Sequence, residues 1–214
     1  MLALIVFFIS SIVVYFSYTH TQNYLKYNTL KFSSLSINKQ YYVVKNITKG
    51  IYLSFLVVTG WFIIIHDAMN GVFDNRIIRI FASLYVSNDV VGLFRVSNLP
   101  TSTRLHHSAT IIFLLVAWNV DFKQSNVGQL LLLYTYFSAL SFPVNLYLGL
   151  RLCYDDMEWL RVLSKYIYAF GCTCNWYIQF QYFIPSAESY MYMLLLFVII
   201  TDDLVLLRWL WKRD

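Results

Sequence analysis

Long apolar runs recur along the whole chain, and they constrain its fold more than any other feature. Several approach the roughly 20 residues that a helix needs to cross a bilayer. Only 13% of the residues are charged, whereas about a quarter are charged in a soluble domain. The runs are too continuous for the roughly ten-residue alternating strands of a membrane β-barrel. The sequence therefore predicts an all-α, multi-pass transmembrane bundle or barrel.

We count seven apolar runs and predict seven membrane-spanning helices, with six as the alternative. The runs cover residues 1–18, 51–65, 77–94, 106–118, 127–150, 160–184 and 190–211. Residues 19–49 are interpreted as a polar loop with five lysines. The alternative is that the second helix begins earlier, at Tyr41. No hydrophilic stretch is long enough to build a separate core, so we expect one membrane domain over residues 1–214.

The distribution of basic residues favours one orientation in the membrane. Lys and Arg concentrate in residues 19–49, in residues 95–104, after the fifth run and at the C terminus. The positive-inside rule then predicts a cytosolic C terminus and a luminal or external N terminus. This bias also accounts for the net charge of +5. Because no basic stripe with interleaved stacking residues stands apart from the membrane, we expect no nucleic-acid binding.

Two adjacent histidines, His106 and His107, open the fourth run. An imidazole near neutral pH can donate, accept or transfer a proton. Asp89 lies in the second half of the third run, toward the same predicted side of the membrane, and Tyr85 precedes it by one helical turn. We therefore expect the carboxylate and the imidazoles to meet. Such a contact would raise the proton affinity of the imidazole at a functional site. The alternative is that the contact has only a structural role, as a polar clamp between two helices.

Other polar side chains interrupt the later runs. Asp202 and Asp203 lie inside the seventh run, and ionisable groups in membrane helices usually face a cavity or the protein interior. Asn175 and Gln179 follow helical spacing in the sixth run, where helix–helix hydrogen bonding is the alternative role. Asn145 follows Pro143, where a small polar side chain can satisfy a freed carbonyl. The residues that we predict to line a lipid cavity are Tyr85, Thr110, Asn145, Asn175, Gln179, Asp202 and Asp203.

The order of these pieces resembles the TLC family, named for the TRAM, Lag and CLN proteins. In that family an aspartate in one span is followed by a short loop and a histidine pair, as are Asp89 and His106-His107 here. The stretch Ser141-Phe142-Pro143-Val144-Asn145 is similar to a later family motif. The resemblance covers residues 38–211 and leaves an extra N-terminal span before it. It implies a helical barrel in the endoplasmic reticulum membrane.

One branch of this family, the ceramide synthases, has a His-His-x-x-Thr motif that is matched at His106, His107 and Thr110. This likeness implies an acyl-CoA-dependent N-acyltransferase in which His106 or His107 is a general base and Asp89 or Asp202 orients it. The ceramide-synthase motif continues with acids and a histidine, but residues 124–154 contain neither. We therefore expect a protein that binds, regulates or senses membrane lipids, with the acyltransferase as the alternative.

The two hypotheses agree on the expected partners and differ in one required molecule. Membrane lipids are the expected partners, and acyl-CoA is needed only as a co-substrate of the enzyme. We expect no cofactor. We also expect no metal site, because adjacent side chains on a helix diverge by about 100° and His106 and His107 are therefore a poor ligand pair. The sequence leaves the oligomeric state open.

Overall fold

A computed structural model describes residues 1–212, and every regular element among them is helical. Five segments are long and apolar enough to span a membrane: Leu2–Asn28, Ile37–Met69, Asn75–Arg95, Asn126–Leu150 and Ala187–Trp211. The prediction of an all-α integral membrane protein is confirmed to this extent. The helices are α1 (Leu2–Asn28), α2 (Leu30–Ser34), α3 (Ile37–Gly60), α4 (His66–Met69), α5 (Asn75–Arg95), α6 (Thr101–Asn119), α7 (Asn126–Ala139), α8 (Phe142–Leu150), α9 (Glu158–Gln181) and α10 (Ala187–Trp211).

Short polar side chains begin three of these helices. Asp74 accepts hydrogen bonds from the backbone N–H groups of Arg76 and Ile77 at the start of α5. Ser125 caps α7 and Ser186 caps α10 in the same way. Each cap satisfies backbone donors that the first helical turn leaves without partners. The interhelical turns are therefore encoded by local chemistry.

The predicted loop over residues 19–49 is wrong. Helix α1 continues to Asn28 and α3 already begins at Ile37, so Lys45 and Lys49 lie inside a membrane-length helix. Residues 37–49 contain no glycine or proline that would stop a helix. Both lysines are buried, with 6% and 8% of their surface exposed. Their charges therefore belong to the interior of the bundle and carry no weight in the positive-inside count.

The fifth apolar run is divided where Pro143 predicted an interruption. Helix α7 ends at Ala139 and α8 begins at Phe142, with Pro143 in its first turn. The Asn145 side-chain amide donates to the Ser141 carbonyl at 2.9 Å. The same carbonyl also accepts from the Asn145 backbone N–H at 3.1 Å, so the side chain reinforces the first turn of α8 and does not reach the Ala139 carbonyl that Pro143 would free.

Two glycines allow α3 and α8 to pack very closely. A Cβ atom on Gly50 would lie 2.9 Å from the backbone nitrogen of Leu146, and one on Gly149 would lie 3.0 Å from the carbonyl oxygen of Val43. Small residues that let helix backbones approach are a common basis of packing in membranes. The approach holds α3 against α8 over the face that carries Val43, Ile47 and Gly50.

The main apolar core lies between α5, α6, α7 and α10. Phe113 of α6 packs against the rings of Tyr134 and Tyr192, with centroid separations of 5.2 and 5.1 Å. Leu130 and Leu196 are at most 1% exposed in the same core. Ionisable side chains in the interior cluster elsewhere, near the N-terminal ends of α3, α6 and α9 and the C-terminal ends of α5 and α10. The bundle therefore has an apolar end and a polar end.

Candidate functional site

A cavity of about 350 Å³ occupies the polar end of the bundle. Side chains from α3, α5, α6, α7, α8, α9 and α10 line it. Seven of the residues that were singled out from the sequence lie on its wall: Tyr85, His106, His107, Asn145, Asn175, Asp202 and Asp203. The structure thus brings groups from distant parts of the chain around one space.

The histidine pair does not open its helix. Helix α6 begins at Thr101, directly after Pro100, so His106 and His107 lie in the second turn. Proline has no N–H to contribute to a helix but suits its start, which explains the earlier boundary. The two rings are tilted by 48° with centroids 5.7 Å apart. The adjacent imidazoles therefore meet different neighbours.

His107 lies in a buried polar cluster beside the ion pair of Asp89 and Lys49. Its Nδ1 lies 3.0 Å from Asp89 Oδ1, a close contact without the alignment of a hydrogen bond. The Lys49 ammonium donates to the same oxygen at 2.5 Å. The other oxygen, Oδ2, accepts from the Thr110 hydroxyl at 3.2 Å. Because Asp89 and His107 are 1% and 2% exposed, the lysine supplies the charge that the buried carboxylate requires.

His106 lies in a more open setting beside Asp202. Its Nδ1 is 3.2 Å from Asp202 Oδ2, and the two side chains are 14% and 19% exposed. Asp202 therefore faces the cavity that the histidines line, as its position inside an apolar run predicted. An imidazole beside a carboxylate in a polar cavity is suited to accept and release a proton.

Asp203 occupies a second position on the cavity wall. It accepts a hydrogen bond from the Tyr168 hydroxyl at 2.7 Å. The residue is 8% exposed, and Tyr168 also lines the cavity. The neighbouring acids of α10 therefore face different partners, one a histidine of α6 and the other a tyrosine of α9.

Thr110 and Gln179 were predicted to line the cavity, but the structure places neither of them on its wall. Thr110 is completely buried behind the wall and bonds the Asp89 carboxylate and the His107 carbonyl. Gln179 is also completely buried, where its amide donates to the Leu130 carbonyl at 3.0 Å and its oxygen accepts from Tyr192 at 2.7 Å. These side chains have found partners inside the protein, so they hold helices together. Gln179 thus has the role that was the alternative at the sequence level.

The sequence analysis missed Lys45 and Lys49, which are both on the cavity wall. Their charge made the segment resemble a loop. One signal was present, because the two lysines are four residues apart and would share a face if the second run began at Tyr41. Asp89, by contrast, was singled out correctly as a neighbour of a histidine but lies behind the wall.

Within residues 1–212, no group of three or more His, Cys, Asp and Glu side chains is arranged to hold a metal ion. Comparisons with protein-family models, with curated proteins and with solved structures find no match for this chain. Any function must therefore be argued from the cavity and its residues.

Proposed function

We propose that this integral membrane protein, similar to the TLC family, binds, regulates or senses membrane lipids through its polar intramembrane cavity. One observation carries the proposal: imidazole, carboxylate and ammonium groups from separate helices converge on a single cavity inside an apolar bundle. Charged groups at membrane depth are costly and usually mark a binding or transport pathway. A volume of about 350 Å³ is within the range of small-molecule sites and suits a lipid headgroup.

The proposal includes two further spans, α6 and α9, and thus seven in total. Helix α9 has 24 residues and α6 has 19, which is enough to cross or nearly cross the hydrocarbon. Their mean hydropathy is lowered by polar side chains that are buried toward the bundle, such as His107 and Asn175. The exposed face of α9 is apolar and aromatic, as a lipid-facing surface requires. Its large exposed residues are Trp159, Val162, Leu163, Tyr166, Phe170, Tyr177 and Phe180.

The proposed arrangement is a helical barrel in the endoplasmic reticulum membrane, with the C terminus cytosolic and the N terminus luminal. The cavity then opens toward the cytosolic side. This orientation is supported by the basic residues outside the cavity at the same end of the bundle. They include Lys26, Lys31, Lys39, Arg95, Arg104 and Arg208.

The proposal is tested by the lipid that purified protein retains. In native mass spectrometry, we expect the wild-type protein to carry tightly bound lipid after detergent exchange. Ser138 lines the cavity, so the larger side chain of Ser138→Phe should occupy the space and displace that lipid. Thr201→Phe, on the exposed face of α10, is the control and should retain it. Equal retention by both variants, or no lipid on any of them, would contradict the proposal.

An acyl-CoA-dependent N-acyltransferase is the second candidate, and the contact between His107 and Asp89 is the observation that favours it. In this reaction an amine nitrogen attacks the thioester carbonyl, so that a C–N bond forms and the C–S bond breaks. A histidine accepts the amine proton and returns it to the departing thiolate, giving the amide and free CoA. His106 or His107 is the candidate base, and the carboxylates Asp89 and Asp202 orient the rings.

Purified protein with labelled acyl-CoA and a long-chain sphingoid base tests this candidate. The enzyme predicts amide formation that His107→Ala abolishes and that His66→Ala, at an exposed histidine, leaves unchanged. Absence of turnover in protein that still retains lipid would reject the acyltransferase and leave the lipid-binding proposal standing.

A further inference from the structure

Two cations on the cavity wall have no carboxylate partner. The ion pairs within residues 1–212 assign Asp89 to Lys49 and bring Asp202 to His106, and neither Lys45 nor Arg151 has a carboxylate within 4 Å. Lys45 is only 6% exposed. Arg151 is half-buried, and Asp89 and Asp202 act on Lys45 only from beyond ion-pair distance. The Lys45 ammonium therefore lacks the direct partner that a buried charge normally has.

Helix packing brings these two cations to the same part of the cavity. On α3, Val43 and Ile47 face Gly149 of α8, whereas Lys45, two residues from each, lies on the side of the helix that lines the cavity. Arg151 lies two residues after Gly149 and is the first residue beyond the end of α8. Arg151 is hydrogen-bonded to Tyr42, which precedes Lys45 by three residues and lies one turn away on the same side of α3. Lys45 and Arg151 therefore line one region of the cavity wall, although they are separated by more than 100 positions in the sequence.

The guanidinium of Arg151 is oriented by two aromatic rings. Its Cζ lies 4.8 Å from the ring centroid of Trp209 and 5.9 Å from that of Tyr147. Its Nε is buried and has no hydrogen-bond partner in the described structure. A stacked guanidinium retains donors for a planar or tetrahedral anion, and a neighbouring ammonium adds a compact charge.

We propose that Lys45 and Arg151 form an anion subsite that binds the phosphate of a membrane-borne lipid. This inference rests on the proposed lipid-binding function and specifies its ligand class. Lys45 is eight residues from the start of α3, or about 12 Å along the axis of a helix that belongs to a membrane-length apolar segment. A phosphate attached to a lipid reaches such a position with its acyl chains still in the hydrocarbon.

The subsite is tested by comparing lipids that differ only in the phosphate. Purified full-length protein in neutral-lipid nanodiscs is titrated with phosphatidic acid and with the matching diacylglycerol, and bound lipid is counted by native mass spectrometry. We expect phosphatidic acid to bind at least tenfold more tightly. Hydrogen bonds to charged groups contribute enough free energy for a preference of this size.

Substitutions then assign the preference to the two cations. Lys45→Gln and Arg151→Gln are each expected to weaken phosphatidic acid binding about tenfold more than diacylglycerol binding, so that the preference for phosphatidic acid is lost. Lys39→Gln is the matched control, because it removes the same charge from an exposed position on α3. If one cavity variant fails to fold, the other variant and the wild-type preference still decide the question.

The possible outcomes separate this inference from the function on which it rests. Equal affinity for phosphatidic acid and diacylglycerol would overturn the anion subsite while leaving lipid binding intact. Absence of binding by either lipid would overturn both. Displacement of phosphatidic acid by inorganic phosphate or coenzyme A at millimolar concentration would assign the site to a soluble phosphate and overturn the lipid-borne source.

Discussion

The interior of the bundle is packed with apolar side chains at one end and contains a polar cavity at the other. At the apolar end, rings and aliphatic side chains such as Phe113 and Leu196 fill the space between α6, α7 and α10. At the polar end, charged groups from at least four helices surround a cavity that packing leaves open. The apolar end depends mainly on complementary shape, whereas ion pairs at the polar end, such as that of Lys49 with Asp89, join groups far apart in the sequence. We infer that the first end maintains the fold and the second provides the function.

The largest expected effect follows from removing the carboxylate that compensates the buried charges. Asp89→Ala leaves the buried Lys49 ammonium without its ion-pair partner, which typically costs about 3–5 kcal/mol. We expect this loss in the free energy of unfolding, measured by reversible denaturation in mixed micelles. Glu188→Ala removes an exposed carboxylate and is the matched control. A cost below about 1 kcal/mol for Asp89→Ala would mean that this cluster is not a buried ion pair.

A cavity at the apolar end should lower stability without changing the ligand. Leu196 is completely buried, so Leu196→Ala is expected to cost about 2–5 kcal/mol. The variant should nevertheless keep the wild-type lipid preference in native mass spectrometry. Leu194→Ala, at a 62% exposed position on the same helix, should change stability little. A shift of lipid preference in Leu196→Ala would break the division of roles between the two ends.

A smaller loss of stability is expected from disturbing the close contact between α3 and α8. The added methyl of Gly149→Ala would meet Ile47 at 2.6 Å and the Val43 carbonyl at 3.0 Å. We expect a loss of about 1–3 kcal/mol, because the backbones must separate. Gly92→Ala is a good control, since its nearest contact would be an ordinary 3.7 Å. Equal stabilities of the two variants in thermal unfolding would contradict the packing argument.

The smallest expected effect concerns an exposed turn outside the spans. The Asn75 amide and the backbone N–H of Lys123 donate to Asp121 at 3.0 Å and lower the pKa of its carboxyl. A lowered pKa means that the ionised form is favoured in the folded protein. Its contribution to stability is therefore present above the ordinary Asp value of about 3.9 and lost as the pH falls through the folded value.

Asp121→Asn should remove this pH-dependent contribution. In thermal unfolding from pH 6 downward, the variant is expected to begin less stable than the wild-type protein and to approach it in acid. Glu188→Gln tests whether any exposed carboxylate produces the same convergence. A constant difference between the variant and the wild-type protein at every pH would contradict the hydrogen-bonded turn.

The elements that could be predicted from the sequence are those with a local signal. The apolar runs predicted the membrane helices, and Pro143 with Asn145 predicted the break between α7 and α8. Asp89 and His107 were expected to meet because both charges lay on one predicted side. The family likeness and the seven-span count stay predictions, since nothing in the structure tests the first and five segments alone meet the hydropathy criterion.

The errors arose where a side chain depends on a distant partner. Lys49 lowered the hydropathy of its segment and predicted a loop, but Asp89, forty positions away, neutralises its charge inside the bundle. Gln179 was assigned to the cavity, whereas Leu130 and Tyr192 satisfy its amide in the core. Helical periodicity places such residues on a face, but only the packing of the other helices determines what that face meets.

Crosslinking with a photoreactive lipid tests the central claim most directly. A phospholipid with a diazirine near its headgroup is incorporated with the protein in nanodiscs, and its adducts are mapped by mass spectrometry. We predict adducts on the cavity segments around His106 and Asp202 that an excess of unlabelled lipid removes, and that Ser138→Phe abolishes. Adducts confined to outward-facing residues such as Tyr166 and Leu194, unchanged by competitor, would show that the cavity holds no lipid.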